Sequence, residues 1–249
     1  MRFQAFGSDR RETIVLLHGG GLGWWNYRDA ARLLQSDYHV ILPILDGHAG
    51  SDRPFTTMED NATELIEFID DQLGGSALLI GGLSLGGQVL LEMLARRGDL
   101  CRFALIESAA VVPSRLTRAL VGPAFGLSYG LIKNRRFAKL QFQSLHIREA
   151  LFEDYYRDTR AIAKSDMIAF MKASVSYSLK ESIRGCRAQT HIFFGERENR
   201  EILRSAKTIH EALPDSGITA LAGLYHGEFS LNRAEDYVKI VRSILNGQS

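Results

Sequence analysis

Ser84 lies in a GxSxG pattern, residues 82–86, between a short apolar run and the helical segment QVLLEMLARR. A serine at a tight bend between a strand and a helix has a strained backbone, and the glycines are needed because flanking side chains would collide. The bend raises the hydroxyl above the sheet. The backbone amide of Leu85, at the helix start, can then stabilise negative charge on a substrate oxygen. The pattern therefore predicts Ser84 as a nucleophile.

The GxSxG pattern alone has limited specificity, because the sequence contains it twice. Residues 126–130, GLSYG, match it around Ser128, but no β-like run precedes them. The strand before Ser84 and the helix after it favour Ser84 over Ser128. A glycine-rich turn that only connects a strand to a helix is the alternative interpretation of the Ser84 segment.

A second glycine-rich segment, HGGGLG at residues 18–23, follows an earlier apolar run. Its bare backbone can approach a ligand closely, so the amide of Gly20, or alternatively that of Gly21, is the predicted second donor to the substrate oxygen. Gly21, Trp24 and Trp25 are predicted to contact substrate, although the tryptophans can equally be packing residues. Phosphate binding is disfavoured, because neither GxxxxGK[ST] nor GxGxxG followed by an acidic ribose anchor is present.

His226 is the predicted base. It follows the last apolar run, in GLYHGEFS, directly before the final helical segment. The carboxyl ends of parallel strands face the crevice that holds active sites in such sheets, which favours a histidine at this place. His18 is expected to be a structural hydrogen bonder at a strand end. None of the five further histidines has a loop at the right place: His39, His48, His146, His191 and His210.

A carboxylate should orient the imidazole of His226 and stabilise its charged form. Glu198 is the predicted acid, because it lies a few residues past the run that ends at Phe194 and can reach a histidine in the next loop. Glu107 and Glu196 are the alternatives. For each of the three, an exposed charge paired with Arg197 or Arg200 is the simpler interpretation.

Short apolar runs and longer segments with helical periodicity alternate along the chain, which is typical of βαβ units with a parallel sheet. The predicted helices are Tyr27–Gln35, Met58–Leu73, Gln88–Arg96, Glu201–Leu213 and Ala234–Leu245. The predicted buried strands are Ile14–Leu17, Val40–Leu45, Ala77–Ile80, Phe103–Ile106, His191–Phe194 and Ile218–Leu221. This alternation predicts the α/β fold class.

The alternation is interrupted once. The predicted strands Phe103–Ile106 and His191–Phe194 are separated by 84 residues, far more than a typical connection between a strand and a helix. We therefore predict a core of residues 1–110 and 188–249 and a helical insertion of residues 111–187. The basic cluster KNRR in the insertion, Lys133–Arg136, is expected to be solvated, with binding of an anionic substrate group as the alternative.

Composition excludes several classes of function. The 249 residues carry 30 basic and 29 acidic side chains with no basic face for nucleic acid, so a small neutral substrate is the expected partner. The two cysteines, Cys101 and Cys186, lack metal-ligand spacing, and both are expected to be buried free thiols. No segment approaches the ~20 apolar residues of a membrane helix or resembles a signal peptide, so a cytoplasmic protein without metal or cofactor is expected.

These motifs in this order resemble the α/β-hydrolase superfamily over nearly the whole chain, and LPILDGHAGSD is similar to the family's loop usually written DxPGxGxS. The resemblance implies a mostly parallel sheet of eight strands, a helical cap formed by the insertion, and acyl transfer through an ester on Ser84. Only about 12 residues precede the first strand of the series, which leaves room for one short strand such as Phe3–Phe6. A seven-stranded sheet is therefore the alternative.

The expected activity is hydrolysis of a small or medium, largely apolar carboxylic ester, because the insertion supplies Phe, Tyr, Leu and Met side chains. The same residues can also serve thioester hydrolysis, carbon–carbon bond hydrolysis or an elimination of the menaquinone-pathway kind. A catalytically silent ligand-binding relative is the third hypothesis. The sequence does not predict the oligomeric state.

Overall fold

Seven strands form one sheet in the computed structural model, which describes residues 1–247 except for the side chains of Arg115, Leu127 and Ser128. The strands are β1 (Phe3–Phe6), β2 (Thr13–Leu17), β3 (His39–Pro43), β4 (Ala77–Leu83), β5 (Cys101–Glu107), β6 (Gln189–Gly195) and β7 (Gly217–Leu221). Their order in the sheet is β1-β3-β2-β4-β5-β6-β7, and only β1 runs antiparallel to its neighbour. The α/β class and the seven-stranded alternative are confirmed.

The central strands are buried because apolar side chains project from both of their faces. In β2, Ile14 and Leu16 pack in the apolar layer on one side of the sheet, whereas Val15 and Leu17 pack in the layer on the other side. β7 is different. It forms close to the predicted place but lies at the sheet edge with four of its five residues exposed, so the prediction of a buried strand there was wrong.

Ten α-helices accompany the sheet in the described residues. They are α1 (Arg28–Leu34), α2 (Met58–Leu73), α3 (Leu85–Arg96), α4 (Arg115–Ile132), α5 (Arg135–Ser144), α6 (Phe152–Ala161), α7 (Lys164–Ser176), α8 (Arg200–Ala212), α9 (Glu228–Asn232) and α10 (Ala234–Leu245). The sequence pattern predicts α2 and α10 with the observed bounds. The start of α3 is three residues earlier than predicted, because Gly86 and Gly87, which weaken helix propensity, are helical here.

Four helices, α4 to α7, lie between β5 and β6, where the alternation is interrupted. Residues 126–130, the second GxSxG match, are inside α4 and not between a strand and a helix. Two contacts tie α6 to the segment after β2: the indole Nε1 of Trp25 donates to Asp158 at 2.8 Å, and Arg28 donates to Asp154 at 2.8 Å. The division into a core and an insertion at residues 111–187 stays a prediction.

Both cysteines are free, Cys101 buried and Cys186 half-buried. In the described residues no three His, Cys, Asp or Glu side chains are grouped so that they could hold a metal ion. Over the same residues, none of the helices has the length and apolar character needed to cross a bilayer.

The contact between Trp25 and Asp158 leads to the first prediction. Trp25→Phe keeps an aromatic ring in the core but removes the donor to a buried carboxylate, so we expect the free energy of unfolding to fall by about 1–3 kcal/mol. Urea denaturation followed by circular dichroism measures this. Trp24→Phe is the matched control, because Trp24 is only half-buried, and it should change the free energy by less than about 0.5 kcal/mol. Equal losses in the two variants would contradict the proposed anchoring.

Candidate active site

Ser84 occupies the single residue between β4 and α3. Its φ of 51° is in the left-handed region, which is uncommon for a residue other than glycine. Its amide donates to the carbonyl of Glu107 at 2.8 Å, and its carbonyl accepts from Gln88 at 2.9 Å. These two bonds hold the strained backbone between β5 and the first turn of α3. The sharp strand-to-helix bend that the sequence predicts is therefore present.

Two glycines around Ser84 are required by close backbone contacts. A Cβ atom on Gly82 would lie 2.4 Å from the carbonyl oxygen of Gly86, and one on Gly86 would lie 2.2 Å from that of Leu17. Any side chain at either position would force the turn open. Because Leu17 ends β2 and directly precedes the glycine segment at residues 18–23, the same contact brings that segment next to the start of α3.

The backbone amides of the glycine segment differ in whether they already donate a hydrogen bond within the protein. The Gly19 amide donates to Asn26 Oδ1 at 3.2 Å, and the Gly21 amide donates to His48 Nε2 at 3.0 Å. Among the hydrogen bonds of the described residues, none uses the amide of Gly20 or that of Leu85. A Cβ on Gly20 would lie 3.5 Å from the Leu85 Cβ, so the two residues are neighbours. The two unused amides thus occur at the predicted pair of positions.

His18 and His48 hold the glycine segment in place. His18 is buried, its Nε2 accepts from the Leu45 amide at 3.1 Å, and its Nδ1 lies 2.9 Å from the Gly19 carbonyl oxygen. His48 is similarly placed, with Nδ1 3.0 Å from the Asp46 carbonyl oxygen and Nε2 accepting from Gly21. In both rings Nδ1 must carry the hydrogen and Nε2 must be bare, so both imidazoles are neutral.

Burial explains why the imidazoles of His18 and His48 are neutral. Desolvation lowers the pKa of His18 to about 4 and that of His48 to about 3. The two rings meet edge to face with centroids 4.8 Å apart, and Phe170 of α7 stacks on His48 at 4.4 Å. The sequence predicts the structural role of His18. It gave no signal for His48, whose role depends on the loop after β3 folding back against the glycine segment.

His226 and Glu198 form a short hydrogen bond, with 2.6 Å between His226 Nδ1 and Glu198 Oε2. The other oxygen of Glu198 accepts from Ser108 Oγ at 2.6 Å and from the Gly195 amide at 2.8 Å. The Glu198 side chain is 1% exposed, whereas that of His226 is 49% exposed. Burial alone would raise the pKa of Glu198, but the hydrogen bonds from His226 and Ser108 outweigh burial and hold this pKa below its usual value.

The two alternative acids occupy different surroundings. Glu107 is buried at the end of β5 and accepts from the Ser230 amide at 3.3 Å, and burial raises its pKa to about 7. Glu196 is exposed and accepts from the Gly223 amide at 3.0 Å. Of the three glutamates, only Glu198 is hydrogen-bonded to His226. The simpler interpretation, an exposed charge paired with an arginine, does not describe Glu198.

Ser84 and His226 line one cavity of about 300 Å³, together with Gly20 and Glu198. Its apolar wall consists of Leu22, Leu83, Leu145, Ile147 and Leu231. Polar side chains of the same cavity include His146 and Tyr225, whose rings stack 3.9 Å apart at an angle of 4°. The sequence does not predict this pair, because the residues are far apart in the chain and meet only when the end of α5 lies over the loop after β7.

The other predicted substrate contacts, Gly21, Trp24 and Trp25, are not among the residues that line this cavity. Trp25 is 1% exposed and donates to Asp158, so its indole serves packing and the anchoring of α6. Trp24 borders a separate depression on the surface near Met1. Gly21 faces His48 through its amide. The packing interpretation of the tryptophans is the one that matches these positions.

Comparisons with known proteins place the chain among hydrolases by fold and family. A model of the Alpha/beta hydrolase family matches residues 14–240. The chain is 22% identical to a pimeloyl-[acyl-carrier protein] methyl ester esterase of Aromatoleum aromaticum, over 95% of this chain and 99% of that protein.

Solved structures show the same fold at low sequence identity. A thermophilic esterase from Thermogutta terrifontis superposes with a TM-score of 0.81 at 16% identity, over 99% of this chain and 93% of that one. MenH from S. aureus superposes with a TM-score of 0.78 at 15% identity, over 99% and 98%.

The two buried histidines lead to a prediction about pH. Because the folded state lowers the pKa of His48 to about 3 from 6.5, the unfolded chain binds this proton first as the pH falls. The contribution of neutral His48 to the free energy of unfolding is fully present above pH ~6.5. It decreases as the pH falls below this value, by about 1.4 kcal/mol per pH unit. We expect His48→Gln to flatten the decline of unfolding free energy between pH 6.5 and 5 by about that slope.

Urea unfolding at a series of pH values measures the effect. His39→Gln is the matched control, because His39 is half-buried at the start of β3 and should leave the wild-type slope unchanged. An equal slope in wild type and His48→Gln would show that His48 is not held neutral by the fold.

Proposed function

The chain belongs to the alpha/beta hydrolase family, and we propose that it is a serine hydrolase that cleaves a small or medium, largely apolar carboxylic ester through an acyl-enzyme on Ser84. The observation that carries this proposal is the hydrogen bond between His226 and the buried Glu198, on the wall of the cavity that Ser84 also lines. A nucleophile, a base and an orienting acid around one cavity are the parts that acyl transfer needs.

In the proposed first step Ser84 Oγ attacks the ester carbonyl carbon while His226 Nε2 takes the hydroxyl proton. Nε2 is the nitrogen available for this, because Nδ1 carries the hydrogen that is donated to Glu198. The negative charge that develops on the carbonyl oxygen is stabilised by the amides of Gly20 and Leu85, which have no other acceptor in the described residues. Protonated His226 then donates its proton to the leaving alkoxide, and the alcohol departs.

In the second step water attacks the acyl-enzyme while His226 takes one of its protons. The tetrahedral intermediate then collapses, His226 returns this proton to Ser84 Oγ as the Ser84–acyl bond breaks, and the carboxylic acid leaves. Glu198 does not take up the proton. Its carboxylate holds the imidazole in the tautomer with hydrogen on Nδ1 and stabilises the imidazolium that forms twice per turnover. The low pKa of Glu198 supports this role, because an ionised carboxylate is required.

The apolar wall of the cavity favours a substrate with an apolar acyl or alcohol group. Leu22, Leu83 and Ile147 supply aliphatic surface next to Ser84, and about 300 Å³ accommodates a small or medium substrate. Two of the three compared proteins are named esterases, which agrees with ester chemistry. Thioester and carbon–carbon bond hydrolysis use the same residues, so a panel of esters and thioesters with matched acyl groups is the direct test of substrate class.

Ser84 is tested by a fluorophosphonate probe, which forms a covalent adduct with an activated serine. We expect the folded wild type to be labelled and Ser84→Ala to lose at least about 99% of the labelling, because Ser84 is the proposed nucleophile that His226 activates. Ser128→Ala is the matched control, because Ser128 lies in the second GxSxG match and its loss should leave labelling unchanged. An unlabelled wild type, or undiminished labelling of Ser84→Ala, would overturn the assignment.

A second experiment tests whether Glu198 or Glu107 is the acid that orients His226. Glu198→Gln places an amide opposite His226 Nδ1 and disfavours the required tautomer, so we expect kcat for an activated ester to fall by about three to four orders of magnitude. Glu107→Gln is nearly isosteric with the protonated acid and keeps an oxygen for the Ser230 amide, so kcat should fall less than about tenfold. Steady-state kinetics at pH 7 compares the two, and the opposite ranking would transfer the role of the acid to Glu107.

A further inference from the structure

The chain is nearly neutral overall, but its basic and acidic residues are unevenly distributed between the insertion and the rest of the chain. Residues 111–187 contain 14 of the 30 Lys and Arg but only 6 of the 29 Asp and Glu. The remaining residues therefore carry an acidic excess. Within the insertion the imbalance is greatest between Glu107 and Glu149, where 41 consecutive residues include seven Lys and Arg and no Asp or Glu. This stretch contains α4 and α5.

The same stretch exposes unusually many apolar side chains. Eight large apolar side chains are exposed among those that the structure describes, and five of them lie between residues 116 and 145: Leu116, Leu120, Leu131, Leu140 and Leu145. Leu116 is 73% exposed and Leu140 is 68% exposed. Scattered exposed leucines are ordinary on a protein surface, but a concentration in one segment indicates an interaction surface.

On α4 the exposed residues form a stripe. At 3.6 residues per turn, Leu116, Leu120, Pro123 and Leu131 fall within an arc of about 80°. From Val121 onward, the opposite side of the helix is also apolar: Val121 and Ile132 are buried there, and Phe125 and Tyr129 are half-buried. A helix that is apolar on both sides is normally covered on both sides. We call the exposed side, defined by Leu116, Leu120, Pro123 and Leu131, the outer stripe.

Lysines border the outer stripe along one flank of α4. Lys164 Nζ of α7 donates to the carbonyl of Gly126 at 3.1 Å, and Lys172 of α7 lies beside Gly122. Lys133 follows the helix and places its ammonium 5.2 Å from the ring centroid of Tyr129. Gly122, Gly126 and Lys133 share an arc of about 40° on the helix surface. The ammonium groups therefore form a row parallel to the outer stripe.

We propose that the outer stripe and its lysine row bind the surface of an anionic lipid membrane. Apolar side chains that enter the boundary between headgroups and acyl chains, bordered by lysines that meet lipid phosphates, are the arrangement that interfacial helices use. A second copy of this chain fits less well, because two insertions of the same charge would repel each other at that contact. This proposal stands independently of the proposed catalytic function.

Vesicle flotation tests the proposal with phosphatidylcholine vesicles that contain or lack phosphatidylglycerol. Wild type should float with the anionic vesicles at low salt and be released by high salt or by omission of phosphatidylglycerol. Leu116→Ser with Leu120→Ser should lower the partition coefficient at least about tenfold, because each serine withdraws apolar area from the lipid. Lys133→Gln with Lys164→Gln should lower it several-fold and reduce its salt dependence.

Leu33→Ser is the matched control, because Leu33 is 41% exposed on α1, outside the insertion, and should bind as wild type does. Circular dichroism and Tm confirm that each variant is folded. Wild type that fails to float, or a Leu116→Ser, Leu120→Ser variant that floats like wild type, would overturn the proposal. Sedimentation velocity adds a further check: a wild-type dimer that this double variant converts to monomers would assign the outer stripe to a second copy and also overturn it.

Discussion

The close approach of α3 to the end of β2 is the constraint on which the site depends. Ser84 turns the chain from β4 into α3 in a left-handed conformation, and Gly86 then lies against the carbonyl of Leu17, where a Cβ would be 2.2 Å away. This contact sets the distance between the start of α3 and the glycine segment. It thereby makes Leu85 and Gly20 neighbours, at a cost in backbone strain that the surrounding hydrogen bonds offset.

Buried polar groups hold that arrangement in place. His18 and His48 are neutral because burial lowers the pKa of each, and in that state each can accept a backbone amide and donate to a backbone carbonyl. His48 takes the amide of Gly21, and Asn26 takes that of Gly19, so within the described part of the chain the Gly20 amide between them has no acceptor. The amides of Gly19 and Gly21 are therefore already bonded within the protein, and the amide of Gly20 is the one that remains for a substrate oxygen.

The two buried carboxyl groups near the site differ in pKa because they receive different hydrogen bonds. Glu107 ends β5 and Glu198 follows β6, and both side chains are buried. Glu198 receives hydrogen bonds from His226, Ser108 and Gly195, which favour the ionised form, whereas Glu107 receives fewer and has a pKa raised to about 7. The hydrogen bonds from His226, Ser108 and Gly195 outweigh desolvation at Glu198, whereas those from Ser230 do not outweigh it at Glu107. The balance between desolvation and hydrogen bonding thus separates an ionised carboxylate from one whose pKa is raised to about 7.

The sequence by itself determined the α/β class, six strands of the parallel series close to their observed places, the bounds of α2 and α10, and the turn around Ser84. It also indicated the loops that carry His226 and Glu198. These features are encoded locally, in the periodicity of apolar residues and in glycines that a tight turn requires.

Only the tertiary structure decided which glutamate bonds His226, that His48 occupies the Gly21 amide, and that Trp25 is an anchor instead of a cavity wall. It also decided that β7 lies exposed at the sheet edge and that α4 presents a second apolar side outward. Trp25 and Asp158 are 133 residues apart in the chain. Such pairs depend on how the helices between β5 and β6 lie on the sheet, and no local pattern specifies that placement.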